Sequence, residues 1–364
     1  MHSKELTEAV LRLVRLGIGN EEPGEAEDSL TIDWTALEAL AAEQGLSAVV
    51  LDGLDKLPPS AFDMPVLMRK QWIGEVLQGY EYRFELCRRT IGEMASFYNT
   101  HGFKMMVLKG YACSLDWPKP EHRPTGDIDI WQFGQQKEAD KALRQAQGPK
   151  FEIDSSHQHH TVFFWRDFMV ENHYDFINVH HHKSNVAFEK LLKELAADDS
   201  HSVDVYGEKV YLPSANLHAL FLLKHTMMHF ASEGITLRQL LDWGFFVRSH
   251  TSAVDWKWLD GVLDEYGMKQ MFDIFNAICV EDLGFEIGVF PSVCFDPIMK
   301  ERVLNEILSP EFSGGLPKSL LARIVFKIHR WRGNAWKHKL CYKDSMWSAF
   351  WSGVWNHLLK PSSI

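Results

Sequence analysis

The chain has 364 residues with 38 basic and 49 acidic side chains, so its formal charge is −11. Its 46% hydrophobic and 24% charged residues are ordinary values for a globular protein with its own core. No apolar run reaches the ~18 residues of a membrane helix, and the N-terminus lacks the apolar block of a signal peptide. We therefore expect no membrane partner, and the acidic balance argues against broad DNA binding.

The cysteines indicate a reducing compartment. They are odd in number, scattered and without CxxC spacing: Cys87, Cys113, Cys279, Cys294 and Cys341. This pattern argues against a disulfide framework and against a cysteine-based zinc site. We expect a cytoplasmic protein, because cysteines there are kept reduced.

The first 100 residues are predicted to be helical. Apolar residues recur at helical spacing between Leu6 and Val14. Asp33 is the predicted N-cap of a helix that stops at Gly45. Residues 66–98 form a long periodic stretch of one or two helices.

The middle of the chain changes to strand patterns, and the last part returns to helices. Short apolar or alternating runs predict strands at 104–108, 127–131, 161–165, 168–170 and 174–180. Helices are predicted at 136–147, 214–228, 237–247 and 256–266, the last one capped by Asp255. The expected fold is α+β, with a small mixed β-sheet between helical regions. The predicted regions are an N-terminal helical region, an α/β core and a C-terminal helical region, at residues 1–100, 101–212 and 213–364.

Two carboxylates in the middle region carry the strongest chemical signal. Asp127 and Asp129 alternate with isoleucines, and residues i and i+2 of a strand point to the same face. Two such charges ~4 Å apart repel by about 4 kcal/mol at an effective dielectric near 20. A divalent cation such as Mg²⁺ would offset this repulsion. A basic partner such as Lys109 or Arg123 would also offset the repulsion. On an exposed edge strand, the two carboxylates would need neither a cation nor a basic partner.

The residues around this pair suit a phosphate ligand. Lys109 and Gly110 follow a predicted strand, and a glycine there lets backbone amides approach a phosphate. A proline-containing loop then leads through Arg123 to Gly126, directly before Asp127. The set fits a metal-bound triphosphate, whose reactions depend mostly on positioning and charge neutralisation.

The sequence resembles the nucleotidyltransferase superfamily (DNA polymerase β-like), and within it the bacterial family usually labelled uncharacterised nucleotidyltransferase. The central motif comprises Leu108-Lys109-Gly110, Arg123 and Gly126-Asp127-Ile128-Asp129-Ile130. Downstream matches are Leu212-Pro213-Ser214-Ala215-Asn216-Leu217-His218, His225, His229, Arg238, Leu241-Asp242 and Asp255-Trp256.

The resemblance implies a metal-dependent transfer of a nucleotide from a nucleoside triphosphate to an acceptor, with release of pyrophosphate. The cofactor would be Mg²⁺ or Mn²⁺, and the acceptor a small molecule, a protein or RNA. The implied catalytic residues are Asp127 and Asp129, joined as metal ligands by Asn178. The implied substrate-binding residues are Lys109, Gly110, Arg123, Gly126, His180 and Arg238.

The chain departs from the family pattern at two places. The turn reads Gly110-Tyr111 where the superfamily usually has Gly-Ser or Gly-Gly, and the spacing to the aspartates is long. The position of the usual third carboxylate matches Asn178, on the same predicted strand face as His180, with Glu171 and Asp175 as possible substitutes. An alternative function is therefore a catalytically impaired nucleotide-binding module.

Histidines and one arginine offer further candidates. Seven histidines fall within 26 residues: His157, His159, His160, His173, His180, His181 and His182. They are either part of a polar surface or ligands of a zinc site. A zinc site would favour a His-based metallohydrolase. Arg238 and Asp242 are one helical turn apart. They are expected to form an ion pair, unless Arg238 reaches the triphosphate instead.

Overall fold

The computed structural model describes residues 2–24, 32–180, 182–197, 201–291, 293–312 and 319–348. The helices are α1 Lys4–Gly17, α2 Trp34–Glu43, α3 Ser47–Asp55, α4 Val66–Val76, α5 Arg83–Thr100, α6 Lys109–Ser114, α7 Gln136–Gln147, α8 Lys183–Ala196, α9 Ala215–Ser232, α10 Leu237–His250, α11 Trp256–Glu265, α12 Lys269–Glu281, α13 Pro297–Leu308, α14 Leu320–Gly333 and α15 Ala335–Cys341. A π-helical stretch, Leu77–Tyr82, joins α4 to α5.

Local sequence explains several helix boundaries. The Asp33 side chain accepts hydrogen bonds from the backbone N–H groups of Thr35 and Ala36, which confirms the predicted N-cap of α2. Asp255 caps α11 in the same way, through the N–H of Trp258.

Helices α1 and α3 pack with their backbones in close contact. A Cβ at Gly53 would lie 2.0 Å from the carbonyl oxygen of Leu13, and a Cβ at Gly17 would lie 2.1 Å from that of Val49. Only glycine fits at these two positions, so the spacing of the helices depends on them.

The six strands form one mixed sheet in the order β3-β4-β2-β1-β6-β5. Their bounds are β1 Met106–Val107, β2 Ile128–Trp131, β3 His160–Trp165, β4 Phe168–His173, β5 Ser202–Val205 and β6 Glu208–Tyr211. Strand β2 pairs antiparallel with β1 and parallel with β4. The predicted α+β fold with a small mixed sheet between helical regions is confirmed.

Each face of the sheet packs on a separate hydrophobic core. Ile128 and Ile130 point into one core, which α5 and α7 cover. Trp131 points to the opposite face, where α8, α9 and α10 contribute to a second core that also includes the N-terminal helices. Asp129 shares the face of Trp131, so the helices after the sheet surround the candidate site.

One predicted strand is absent, and one hairpin was not predicted. The expected strand at 174–180 does not form, because β4 ends at His173. The β5–β6 hairpin has no counterpart among the predicted strands; its turn uses Tyr206 at φ 57° and Gly207 at φ 82°, a left-handed pair that tyrosine rarely adopts.

N-terminal and C-terminal helices contact each other directly. The Gln44 side chain donates to the carbonyl of Ile307 and accepts from the N–H of Leu237. The Asn20 amide donates to the carbonyl of Leu283. Within the described ranges, no helix is long and apolar enough to cross a membrane.

Candidate active site

Adjacent parallel strands bring two carboxylates together. Asp129 on β2 is the register partner of Glu171 on β4, so both side chains leave the same face of the sheet. His173 is two residues further along β4 and shares that face. Ligand atoms of Asp129, Glu171 and His173 lie within 4.8 Å of one another.

Two basic side chains contact Asp129. Its Oδ1 lies 2.7 Å from Nζ of Lys109 and 3.0 Å from Nε2 of His173. Burial opposes ionisation of Asp129, which is 3% exposed, but Lys109 and His173 outweigh it and hold its pKa well below the usual range. Burial likewise opposes the charge of Lys109, yet Asp129 and Glu171 raise its pKa.

The backbone of Lys109 is strained. Its φ of 37° is unusual for a residue with a side chain, and such conformations cost about 1–3 kcal/mol. Lys109 begins α6 directly after β1, and this turn sets its amine on Asp129. Strained residues of this kind are found preferentially at functional sites.

Asp127 lies at the solvent-exposed edge of the site. Its side chain is exposed, and it makes no ion pair with any described residue. Partial burial, and then the neighbouring charge of Asp129, raise the pKa of Asp127, with Glu171 adding to the effect. The carboxylates of Asp127, Asp129 and Glu171 are therefore close enough to influence one another. Of the three, Asp129 is the one that both Lys109 and His173 contact.

The predicted partner of Asp242 is wrong. Nε of Arg123 lies 2.7 Å from Oδ1 of Asp242, and an Arg123 Nη donates to Oδ2 at 2.8 Å. Arg123 is buried and also donates to the carbonyl of Pro124. Asp242 thus pairs with Arg123 and not with Arg238, and the Arg123 guanidinium is held by protein groups.

Arg238 is left as a cation next to the site. It is half-buried and makes no ion pair among the described residues, and its stem lies beside Gly45, where a built Cβ would be 3.5 Å from its Cδ. Burial, and then the charge of Arg123, lower its pKa, whereas Asp242 and Asp127 oppose the effect. Since the group stays charged near pH 7, an anion at this position would stabilise it.

Helix α9 adds His225, which sequence analysis placed in the family pattern without a role. Burial, and then the charge of Lys109, lower its pKa well below the usual value, so the imidazole is neutral near pH 7. Phe221, one turn earlier, has its ring 5.9 Å from Nζ of Lys109. Together the two side chains place α9 over the Lys109–Asp129 pair.

The other predicted site residues lie in different settings. Gly110 lies beside the carbonyl of Asp127, with a built Cβ 3.5 Å away, and Gly126 is exposed directly before Asp127. Asn178 and His180 lie beyond the end of β4. The Asn178 side chain donates to Gln158 and accepts the N–H of His180.

Glu171, and not Asn178, is the register partner of Asp129. Asn178 lies in the segment predicted as a separate strand at 174–180, which does not form because strand structure ends at His173. The sequence offers Glu171 only as a substitute, because Glu171-Asn172-His173 is a run of polar residues without the apolar alternation of a strand.

The seven predicted histidines separate into groups. His157, His159 and His160 lie at the start of β3 next to His173. His182 belongs to a different group: its ring stacks on that of Tyr342, near the C-terminus, with centroids 3.8 Å apart. His181 lies outside the described residues.

The donor set fits a hard divalent cation. Asp129 and Glu171 supply carboxylate oxygens within 4.8 Å of each other, and Asp127 lies at the exposed edge of the same region. Carboxylate oxygens are the ligands that Mg²⁺ and Mn²⁺ prefer. The raised pKa of Asp127 reflects burial and uncompensated negative charge, and a bound cation would relieve the latter. The repulsion expected from the sequence is thus offset at Asp129 by Lys109 and His173, and persists at Asp127.

A mixed sheet with acidic residues on two neighbouring strands, flanked by basic groups, is nucleotidyltransferase-like. Residues 31–284 match the family model described as "Uncharacterised nucleotidyltransferase". This match spans more than half of the sequence, and the chain belongs to that family.

Two further comparisons add little to this assignment. Among solved structures, an antigenic nucleotidyltransferase-like protein from Paracoccidioides brasiliensis is similar over 44% of this chain and 75% of that one, with 15% identity and a TM-score of 0.33. No curated protein matches the sequence.

Proposed function

We propose that this protein transfers a nucleotide from a nucleoside triphosphate to an acceptor hydroxyl in a reaction that depends on Mg²⁺ or Mn²⁺. The observation that carries the proposal is the register pairing of Asp129 with Glu171, beside an exposed Asp127. When bound, the metal neutralises phosphate charge and makes the α-phosphorus more electrophilic. The residues that would hold it are Asp127, Asp129 and Glu171.

In the transfer, a bond forms between the acceptor oxygen and the α-phosphorus. The bond from that phosphorus to the oxygen bridging the β-phosphate breaks, and pyrophosphate leaves. Glu171 takes the hydroxyl proton. Its oxygens lie 3.5 Å from His173 and 3.7 Å from His160, so neither is held in a short hydrogen bond that would prevent it from taking a proton.

The cations have different roles in this proposal. Lys109 and His173 position Asp129, since both contact its Oδ1. Arg238 binds the triphosphate, because it is charged, half-buried and makes no ion pair with described residues. Guanidinium groups suit this role through paired hydrogen bonds to phosphate oxygens. Arg123 supports the site from its buried pair with Asp242.

A cytoplasmic location is part of the same proposal. The five cysteines are unpaired, and four of them are buried. Free thiols persist where the medium is reducing, as it is in the cytoplasm. The protein would also have to share a compartment with nucleoside triphosphates, which are its proposed substrate.

The test measures whether a labelled α-phosphate is transferred from the nucleotide to an acceptor. The protein is incubated with each triphosphate, labelled on the α-phosphate, with Mg²⁺ or Mn²⁺ and with pools of small hydroxyl compounds, RNA or the protein itself. We expect pyrophosphate release and α-label on one acceptor class. Asp127→Ala and Glu171→Gln should abolish both, whereas Glu152→Gln, at an exposed site, should not.

Two results would count against this function. Full activity of Glu171→Gln would remove the assigned base. Nucleotide binding without transfer to any pool, in the wild-type protein, would instead favour the impaired binding module.

A further inference from the structure

Three imidazoles meet where β3 begins and β4 ends. His160 and His173 are direct partners across the antiparallel ladder, and His159 is the residue before β3. The ring centroids lie 4.3 Å apart for His159 and His160, and 5.2 Å apart for His160 and His173. One ligand nitrogen from each of the three lies within 4.8 Å of the other two.

Two of these imidazoles have nitrogen atoms without partners. Nδ1 of His159 and Nδ1 of His160 are buried and make no hydrogen bond with the described part of the protein. His160 is only 6% exposed. Buried polar atoms in folded proteins are almost always hydrogen-bonded, so two unsatisfied nitrogens in one cluster indicate a ligand.

We propose that His159, His160 and His173 bind one divalent transition-metal ion, with Zn²⁺ as the best match. Imidazole nitrogens suit Zn²⁺, whereas Mg²⁺ prefers oxygen ligands, so this site is chemically different from the carboxylate site beside it. It does not depend on the proposed transfer reaction, because a protein without activity would bind the ion equally well.

Small side-chain movements are enough to close the site. Zn–N bonds of 2.0–2.1 Å in a tetrahedral site place ligand nitrogens roughly 3.3 Å apart. His173 would exchange its Nδ1 contact to the carbonyl of Asp175 for the ion, so that its Nε2 contact to Asp129 is kept. A water molecule would take the fourth position, as it does in zinc sites with three protein ligands, so Glu171 stays with the carboxylate site.

The test measures metal binding directly. Protein stripped with chelator is titrated with Zn²⁺ and with Co²⁺ in excess Mg²⁺, which keeps the oxygen site occupied. We expect one equivalent of Zn²⁺ by calorimetry, and visible absorption bands of tetrahedral Co²⁺. His159→Gln and His160→Gln should each weaken binding at least tenfold, whereas His101→Gln and His201→Gln, at exposed sites, should not.

A second measurement needs no variant. X-ray absorption of the Zn²⁺-loaded wild-type protein should show nitrogen neighbours at about 2.0–2.1 Å with imidazole scattering. A shell of oxygens alone would overturn the proposal, as would failure of the wild-type protein to bind one equivalent. Equal weakening by His201→Gln would do so too. Circular dichroism of the metal-free variants separates lost binding from lost folding.

Discussion

Arg123 and Asp242 form a bidentate ion pair between the loop before β2 and helix α10, with N–O distances of 2.7 and 2.8 Å. Both residues are buried, and Trp117 donates a further hydrogen bond to Asp242. Because this loop leads into Asp127, the pair fixes the entrance of the site against the C-terminal helices.

Asp242→Asn is expected to destabilise the protein by about 3–5 kcal/mol, since it leaves the buried Arg123 charge without compensation. Urea unfolding measures the change. The exposed Asp264→Asn serves as the control and should stay within about 0.5 kcal/mol of wild type. The double variant Arg123→Met/Asp242→Leu should be more stable than Asp242→Asn. Equal stability of Asp242→Asn and wild type would show that the pair is not fixed in solution.

Arg238→Ala is expected to weaken triphosphate binding by roughly tenfold to 100-fold, because a hydrogen bond to a charged group contributes about 1.5–3 kcal/mol. Arg238→Lys should recover part of the affinity, since it keeps the charge and loses the fork of donors. Calorimetry with a non-hydrolysable triphosphate gives the Kd values. Arg89→Ala, at a side chain 54% exposed on α5, is the matched control. An unchanged Kd for Arg238→Ala would remove it from the phosphate site.

Gly53→Ala is expected to destabilise the N-terminal helices by several kcal/mol, because the added methyl group would lie 2.0 Å from the carbonyl oxygen of Leu13. Gly74→Ala is the control within helix α4, where a Cβ meets nothing within 4 Å. It should raise stability by about 0.5–1 kcal/mol through the better helix propensity of alanine. The midpoint of thermal unfolding is measured for both variants. Similar midpoints would contradict the close contact between α1 and α3.

Glu189 should make stability depend on pH. Its carboxylate accepts the N–H groups of Phe176 and Ile177, and burial raises its pKa from 4.5 to about 7. Between these values the folded state keeps a proton that the unfolded state has lost, so stability falls as pH rises, by about 3 kcal/mol in all. Urea unfolding from pH 4.5 to 7.5 should show this slope in wild type and a flatter one in Glu189→Gln.

Glu194→Gln, on the same helix with a side chain 61% exposed, is the control for that series. Its curve should run parallel to that of wild type. If the curve of Glu189→Gln were parallel as well, the carboxyl of Glu189 would titrate normally in the folded protein.

Local sequence patterns predicted the strand that carries Asp129, but not the residues that its side chain contacts. The alternation around Asp127 and Asp129 predicted a strand, and β2 has Ile128 and Ile130 in the core as expected. Local rules suffice here, because a strand's alternation and a helix's N-cap depend on neighbours in sequence.

The partners of these residues could not be predicted in the same way. Whether Asp242 meets Arg123 or Arg238 depends on how a loop packs against a helix more than 100 residues away in sequence. The end of β4 at His173, which decided between Glu171 and Asn178, depends on pairing with β2 and β3. Single-sequence periodicity carries no information on such pairing.

The pairing of Asp129 with Glu171 also bears on how this family can change. Successive residues of a strand face opposite ways, so a slip of one position would replace Glu171 with Asn172 and turn the carboxylate into the other core. A single-residue insertion ahead of β4 that shifted this register would thus remove Glu171 from the proposed site while every residue of the motif is retained. In a sequence alignment, such proteins would keep every residue of the motif. The change would be visible in their structures, as a shifted pairing of β4 with β2.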